Sequence, residues 1–339
     1  MLLHTLTSLD DNNCPLELTT LPDLIPAEYE VLIKVTVCGV CHTEIDEIEG
    51  RTPPPELPVI LGHQVVGIIE RTGKNIKYLK IGDRVGVAWI WSSCGRCEYC
   101  LAGNENLCSE FRATGRDIHG GYAQFMTVPE DSAFLIPDIF TDVEAAPLLC
   151  AGAIGYRSLK LTNLKDGQNL GLTGFGASAH LVLKMARHRY PGTDIFVFAR
   201  SEKERAFARE LGAAWVGDTE EIPPELMDCI IDTTPVWKPV VEAMHCLKPG
   251  GRLVINAIRK EDKDKDYLMK LDYTNHLWME KEIKSVANVA RSDVKEFLEL
   301  AAEIPIKPEV QMYSLEEANI ALMELKNRDI RGAKVLKIR

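Results

Sequence analysis

The sequence predicts an α/β-plus-β protein of two domains, a β-rich one followed by a doubly wound parallel sheet. Three observations lead there. Residues 1–150 hold many short, apolar-alternating runs broken by Gly- and Pro-rich turns. From about residue 168 strand and helix periods alternate. A chain of 339 residues is long enough for two separate cores.

Taken in order, YEVLIKVTVC (29–38) alternates well enough for a strand, as do HQVVGIIERTG and DRVGVAWI. Turns at RTPPPELP, LKIGDR and IHGGY separate such runs. Near TDVEAAPLLCAGAIGYRSLKL the period becomes helical. Strands NLGLTG, DIFVFA, AWVG, DCIIDT, GRLVINA and EIKSVAN then alternate with helices ASAHLVLKMARHR, SEKERAFARELG and VWKPVVEAMHCL. The last helix is stopped by KPGG. Such alternation calls for a parallel sheet with helices on both faces. The tail supplies one amphipathic helix, SLEEANIALMELKNRD, and a final strand, AKVLKI, while the charged run RKEDKDKDY reads as a solvated loop.

The composition, 46% hydrophobic and 26% charged, is that of a globular protein. A net charge of −11 argues against a nucleic-acid or anionic-membrane partner. The start, MLLHTLTSLDD, lacks the basic-then-apolar pattern of a signal peptide, and no apolar run is long enough for a membrane span. A cytoplasmic protein is expected.

That expectation bears on CGRCEYCLAGNENLC, which places Cys94, Cys97, Cys100 and Cys108 in one segment. Thiols in a reducing compartment stay unpaired, so a cluster there points to metal. The spacing C-x2-C-x2-C-x7-C lets four thiolates close a tetrahedral zinc shell. A closed shell has no open position, so this site stabilises a lobe at about 92–110 and performs no chemistry.

The first strand–helix unit contains GFGASA: Gly174 and Gly176 follow a strand, and Ala179 opens a helix. This is a dinucleotide turn, in which backbone approaches a pyrophosphate that faces the helix N-terminus. The end of the second strand reads ARSEKER, with Ala199 where an NAD-specific fold carries an acid, then Arg200 and Ser201. An arginine there pairs with a 2′-phosphate that a carboxylate would repel. NADP(H) is therefore favoured, with Arg200 and Ser201 as main contacts and Lys203 or Arg205 nearby; NAD(H), with Arg200 stacked on adenine, stays open.

Three distant pieces, CGVCHTEID (38–46), LGHQVVG (61–67) and LLCAGAIGY (148–156), complete a motif order that resembles the zinc-dependent medium-chain alcohol dehydrogenases over essentially the whole chain. The resemblance implies a GroES-like catalytic domain over 1–150, a Rossmann domain over 151–287, and a return to the catalytic domain over 288–339. It implies that Cys41, His63 and Cys150 hold a catalytic zinc whose fourth position takes water or substrate oxygen. It gives Thr43 the start of a proton relay, His42 the pyrophosphate, and Glu44 the orienting of the ligand histidine. Trp89 falls at a substrate-pocket position favouring short or planar primary alcohols and aldehydes. Ser178, Asn256, Ala257 and Ile258 fall near the nicotinamide. Relatives are dimers or tetramers, so a homo-oligomer is expected.

Four positions depart from the pattern. Gln64 replaces a glutamate, Asp46 a relay histidine, and Ile154 a threonine, while Arg331 only approximates a pyrophosphate-contacting arginine. Two other readings compete: a zinc-free quinone or enoyl reductase of the same superfamily, against which Cys41, His63 and Cys150 speak, and a non-enzymatic zinc and nucleotide sensor.

Overall fold

The computed structural model describes residues 1–10, 12–304, 306–327 and 332–338, so Arg331 lies outside the described residues. The chain divides into two units, Met1–Ala153 with Val289–Arg339, and Ile154–Asn288.

In the first unit the strand Glu30–Val40 is the hub. Its β-branched residues Val31, Ile33 and Val35 are fully buried, as a strand rich in such side chains favours. It pairs antiparallel with Val65–Thr72, Phe125–Pro129 and Ala333–Lys337. Among the described residues the sheet has seven strands, extended by Arg84–Val87 and Ala133–Leu135 on one side and Val310–Ser314 on the other.

DRVGVAWI is not one strand: Arg84–Val87 ends before Trp89, and Ile90–Ser92 turns away to pair with Arg112–Ala113. The tail also carries more than one helix and one strand. Arg291–Glu303 is a helix that buries Val294, Phe297, Leu298 and Ala301, a clear i, i+3, i+4, i+7 stripe. The expected tail helix is Ala318–Lys326, after a short 3-10 turn at Leu315–Glu317.

The second unit is a six-stranded parallel sheet among the described residues. Its order is Trp215–Gly217, Ile195–Phe198, Leu170–Thr173, Met227–Asp232, Leu247–Ile255, Glu282–Ser285. The direction of strand addition reverses between Leu170–Thr173 and Met227–Asp232, the place where doubly wound sheets take ligands.

Two expectations are corrected here. KPGG does not separate helix from strand: Lys238–His245 has already ended, and Leu247–Ile255 runs through those residues with Gly250 at φ +71°. RKEDKDKDY is only in part a solvated loop: Asp262, Lys263, Lys265 and Asp266 are exposed, but Asp264 and Lys260 are not free in solvent. Asp264 accepts hydrogen bonds from Trp237 N and Lys238 N at 2.9 Å, capping the helix Lys238–His245. The Lys260 side chain is buried, because the acceptors for its ammonium lie at and just beyond the end of the strand Met227–Asp232.

Candidate active site

Strand register brings Cys41 and His63 together. Cys38 lies opposite Val65 in the antiparallel ladder, so Cys41, three residues on, and His63, two residues back, leave the sheet at the same end. Cys41 caps the helix His42–Ile48: its Sγ accepts from Thr43 N at 3.3 Å, and Glu44 Oε2 accepts from Cys41 N at 2.9 Å. A thiol at a helix N-terminus faces donors and the positive end of the dipole, which suits a thiolate ligand.

His63 follows Gly62, whose φ of +97° only glycine adopts freely. A Cβ on Gly62 would lie 2.4 Å from the buried Tyr122 ring. Tyr122 N and Gly121 N in turn donate to Leu61 O and Gly62 O. The imidazole is thus delivered by a loop clamped from both sides.

Cys150 arrives on a third element, the π-helical turn Leu148–Gly152 that follows the helix Asp142–Pro147. Ala153 N reaches back to Leu148 O, a five-residue closure that admits one extra residue; such turns recur at functional sites. Gly152 is needed because a Cβ there would lie 2.2 Å from the ring of Phe297 on the helix Arg291–Glu303. Sequence reasoning missed that brace, although the helix's apolar period was legible.

Cys41 Sγ lies 3.7 Å from His63 Nε2, and the ligand atoms of Cys41, His63 and Cys150 all lie within 4.8 Å of one another. Tetrahedral zinc with S at ~2.3 Å and N at ~2.0 Å sets neighbouring ligand atoms about 3.5 Å apart, so the group fits the metal. Behind it Glu44 Oε1 sits 2.6 Å from His63 Nδ1, both side chains buried. This leaves Nε2 directed at the sulfurs, the arrangement a metal-ligating histidine needs.

Sharing a hydrogen bond with Cys150, then burial, pushes the Cys41 thiol well above its ordinary value. Burial opposes charge on His63, but Glu44 and Cys41 outweigh it and raise the imidazole well above its usual pKa.

Of the neighbouring residues, His42 is exposed and Thr43 half-buried in the first helical turn. Asp46 is buried, with Arg51 Nε 2.5 Å from Oδ1, so its carboxylate is already engaged. Gln64 is buried against Gly39, where a Cβ would lie 2.4 Å from Gln64 Oε1. Trp89 is half-buried with its ring 5.6 Å from Phe111. Glu47, which no sequence signal singled out, is fully buried. Burial, then the charge of Glu44, raises its carboxyl well above the carboxylate range, while His63, the Trp89 indole N–H and Arg116 act against this.

The four-cysteine lobe is tight. Cys97 Sγ and Cys94 Sγ lie 3.5 Å and 3.8 Å from Cys100 Sγ, and the ligand atoms of Cys94, Cys97, Cys100 and Cys108 fall within 4.8 Å of one another. A disulfide needs ~2.05 Å; sulfurs around one zinc stand about 3.8 Å apart. The geometry answers for metal.

In the second unit the glycine turn is built for close approach. Gly174 has φ +74°, and a Cβ there would lie 2.9 Å from Thr234 Cγ2. A Cβ on Gly176 would meet nothing within 4 Å, so the backbone presents an open face ahead of the helix Ala179–Arg189. Ala179 is buried, and Asn256 Nδ2 donates to Ser178 Oγ at 3.2 Å. Ile258 is exposed at 49%. Arg200 and Ser201 are exposed at the end of Ile195–Phe198. Arg205 is not free beside them: its guanidinium donates to Ala199 O at 2.7 Å and Arg200 O at 3.2 Å, bracing the turn.

Residues 27–138 match the alcohol dehydrogenase GroES-like domain and residues 179–303 the zinc-binding dehydrogenase domain. A Mycobacterium tuberculosis protein described as "Probable alcohol dehydrogenase AdhA" is 41% identical over 329 residues, covering 96% of this chain and 93% of that one. An alcohol dehydrogenase of Geobacillus stearothermophilus is 33% identical, covering 92% of each. A cinnamyl alcohol dehydrogenase structure from Sorghum bicolor superposes with a TM-score of 0.80 at 26% identity, over 94% of this chain and 92% of that one. Identity at the level of the mycobacterial relative, carried across both units, places this chain in the zinc-dependent medium-chain dehydrogenase/reductase family.

Proposed function

We propose that this zinc-dependent alcohol oxidoreductase is an NADP(H)-preferring alcohol dehydrogenase and aldehyde reductase for short or planar primary alcohols. The carrying observation is the convergence of Cys41, His63 and Cys150, with Glu44 fixing the imidazole. Zinc held there would acidify an alcohol hydroxyl or polarise a carbonyl, and a bound nicotinamide would accept or give hydride.

The chain's own residues do the rest. Glu44 keeps His63 in the Nε2-ligating tautomer. The Thr43 hydroxyl, in the same helical turn as Cys41, starts the proton's way out, and His42 beside it meets the cofactor's pyrophosphate. Asp46 takes no part, being occupied by Arg51. Gly174 and Gly176 admit the pyrophosphate, and Arg200 with Ser201 recognises the 2′-phosphate. Trp89 walls the substrate side. Cys94, Cys97, Cys100 and Cys108 hold a second, structural zinc.

No helix among the described residues is long and apolar enough to cross a membrane, and free cysteines fit a reducing, cytoplasmic setting. The outermost strand Glu282–Ser285 has an exposed residue at every position. Such an edge supports pairing with a second copy in a homo-oligomer.

The test is initial rates with matched NAD(H) and NADP(H) on short and aromatic alcohols and aldehydes, repeated after chelation and in Cys41→Ala. The expected result is NADP-linked turnover lost in both; full activity in Cys41→Ala would refute the zinc assignment.

A further inference from the structure

Where strand addition reverses in the parallel sheet lies a buried ion pair that the catalytic reading does not use. Asp232, the last residue of Met227–Asp232, is fully buried, and the Lys260 side chain is 7% exposed. Lys260 Nζ donates to Asp232 Oδ2, to Thr234 O at 2.7 Å and to Val236 O at 3.0 Å, using all three of its protons. Asp232 Oδ1 accepts from Thr173 Oγ1 at 2.6 Å and Thr234 Oγ1 at 2.7 Å.

A buried pair pays for desolvation with its attraction and gains little net stability, so its full satisfaction argues for a geometric role. The segments it joins are those of the cofactor cradle. Thr173 immediately precedes Gly174. Thr233 and Thr234 fill the space a Cβ on Gly174 would need. Lys260 sits on the loop that begins with Asn256, whose amide reaches Ser178 at the opposite lip. Asn256 N also donates to Asp232 O at 2.7 Å, and Glu261 N to Pro235 O at 2.7 Å, so the loop is laced to the strand end along its length.

We propose that Lys260 and Asp232 are positioning residues for the dinucleotide, holding the Gly174 turn and the Asn256–Ile258 segment in register so that the cofactor meets a preformed cradle. This rests on the reading of the glycine turn as the cofactor site. The pair is internally neutralised, so it sets geometry and adds nothing to the attraction of Arg200 for a 2′-phosphate. A preformed cradle lowers the ordering cost of binding, and a displacement of about 1 Å is felt in the affinity.

The test uses zinc-loaded protein, with NADPH affinity read by fluorescence titration and stability by thermal melting. Lys260→Met is expected to weaken NADPH binding roughly tenfold, with kcat at saturating cofactor within about twofold of the parent. In the paired variant Asp232→Leu with Lys260→Met, no charge is orphaned, so melting recovers while NADPH affinity does not. Recovery of affinity along with melting, or parental affinity in Lys260→Met, overturns the proposal. Should those chains not fold, Lys260→Gln keeps two donors and decides: weaker binding supports the proposal and unchanged binding overturns it. Gly176→Val separates the two readings. If it leaves NADPH affinity intact the glycine-turn reading fails; if it abolishes binding while the Lys260 variants bind normally, only the positioning role fails.

Discussion

Glu44 Oε1 and His63 Nδ1 lie 2.6 Å apart with both side chains buried, and the second oxygen of the same carboxylate accepts from Cys41 N at 2.9 Å. One glutamate therefore orients two members of the Cys-His-Cys group. Glu44→Gln keeps the shape and loses the charge. The expected loss is about 10- to 100-fold in zinc affinity or kcat/KM, read as faster zinc release to a chelator. Parental release kinetics would refute the role.

The sulfur cage at 94–108 predicts a different phenotype for its own loss. Cys100→Ala removes a thiol that stands 3.5 Å and 3.8 Å from two others, so this lobe should give up its metal while Cys41, His63 and Cys150 keep theirs. Zinc content is expected to fall by one per chain, with a drop in melting temperature on the order of 5–10 °C and new protease cleavage in the lobe. Unchanged zinc content would rule out a structural site.

Cofactor preference tests the charge at the end of Ile195–Phe198. Among the described residues Arg200 is exposed and has no carboxylate paired to it. Arg200→Asp exchanges a phosphate partner for a repelling charge. NADPH affinity should fall about 10- to 100-fold with NADH gaining; an unchanged ratio counts against the 2′-phosphate assignment.

Acid stability offers a check away from the metals. Burial raises the Glu130 pKa, but N–H donation from Tyr78, Leu79 and Lys77 outweighs it and holds the carboxyl below its ordinary value. A depressed carboxyl stabilises the fold above the unfolded value of about 4.3 and loses that contribution as pH falls through the lower folded value. Glu130→Gln should therefore lower stability at neutral pH by less than about 1 kcal/mol, because solvent screens a carboxylate this exposed, with a shallower decline on acidification. Denaturant midpoints between pH 7 and pH 3 would show it, and parallel curves would refute it.

What was legible in the sequence follows how local each signal is. The four cysteines span a single loop, and the glycine turn stands directly between a strand and a helix. The catalytic trio is not local. Residues 41 and 63 meet through the register of Cys38 with Val65, and 150 through an irregular turn, so spacing alone could not join them and the family resemblance did. Lys260 misled because it stands in a run of charge whose acceptors, Asp232 and the carbonyls of Thr234 and Val236, are more than twenty residues earlier. The helix Arg291–Glu303 carries a readable apolar stripe, but nothing in that stripe tells that its Phe297 braces the turn bearing Cys150.

The widened turn at Leu148–Gly152 makes the metal site sensitive to counting as well as to chemistry. Excising Leu149 would return the segment to ordinary helical pitch and swing the thiol at 150 through about 100°, away from its two partners, without altering a single ligand. Length variation in this short stretch should therefore be forbidden even where substitution is tolerated, and an otherwise intact homologue with one residue fewer there would have to find its third ligand elsewhere.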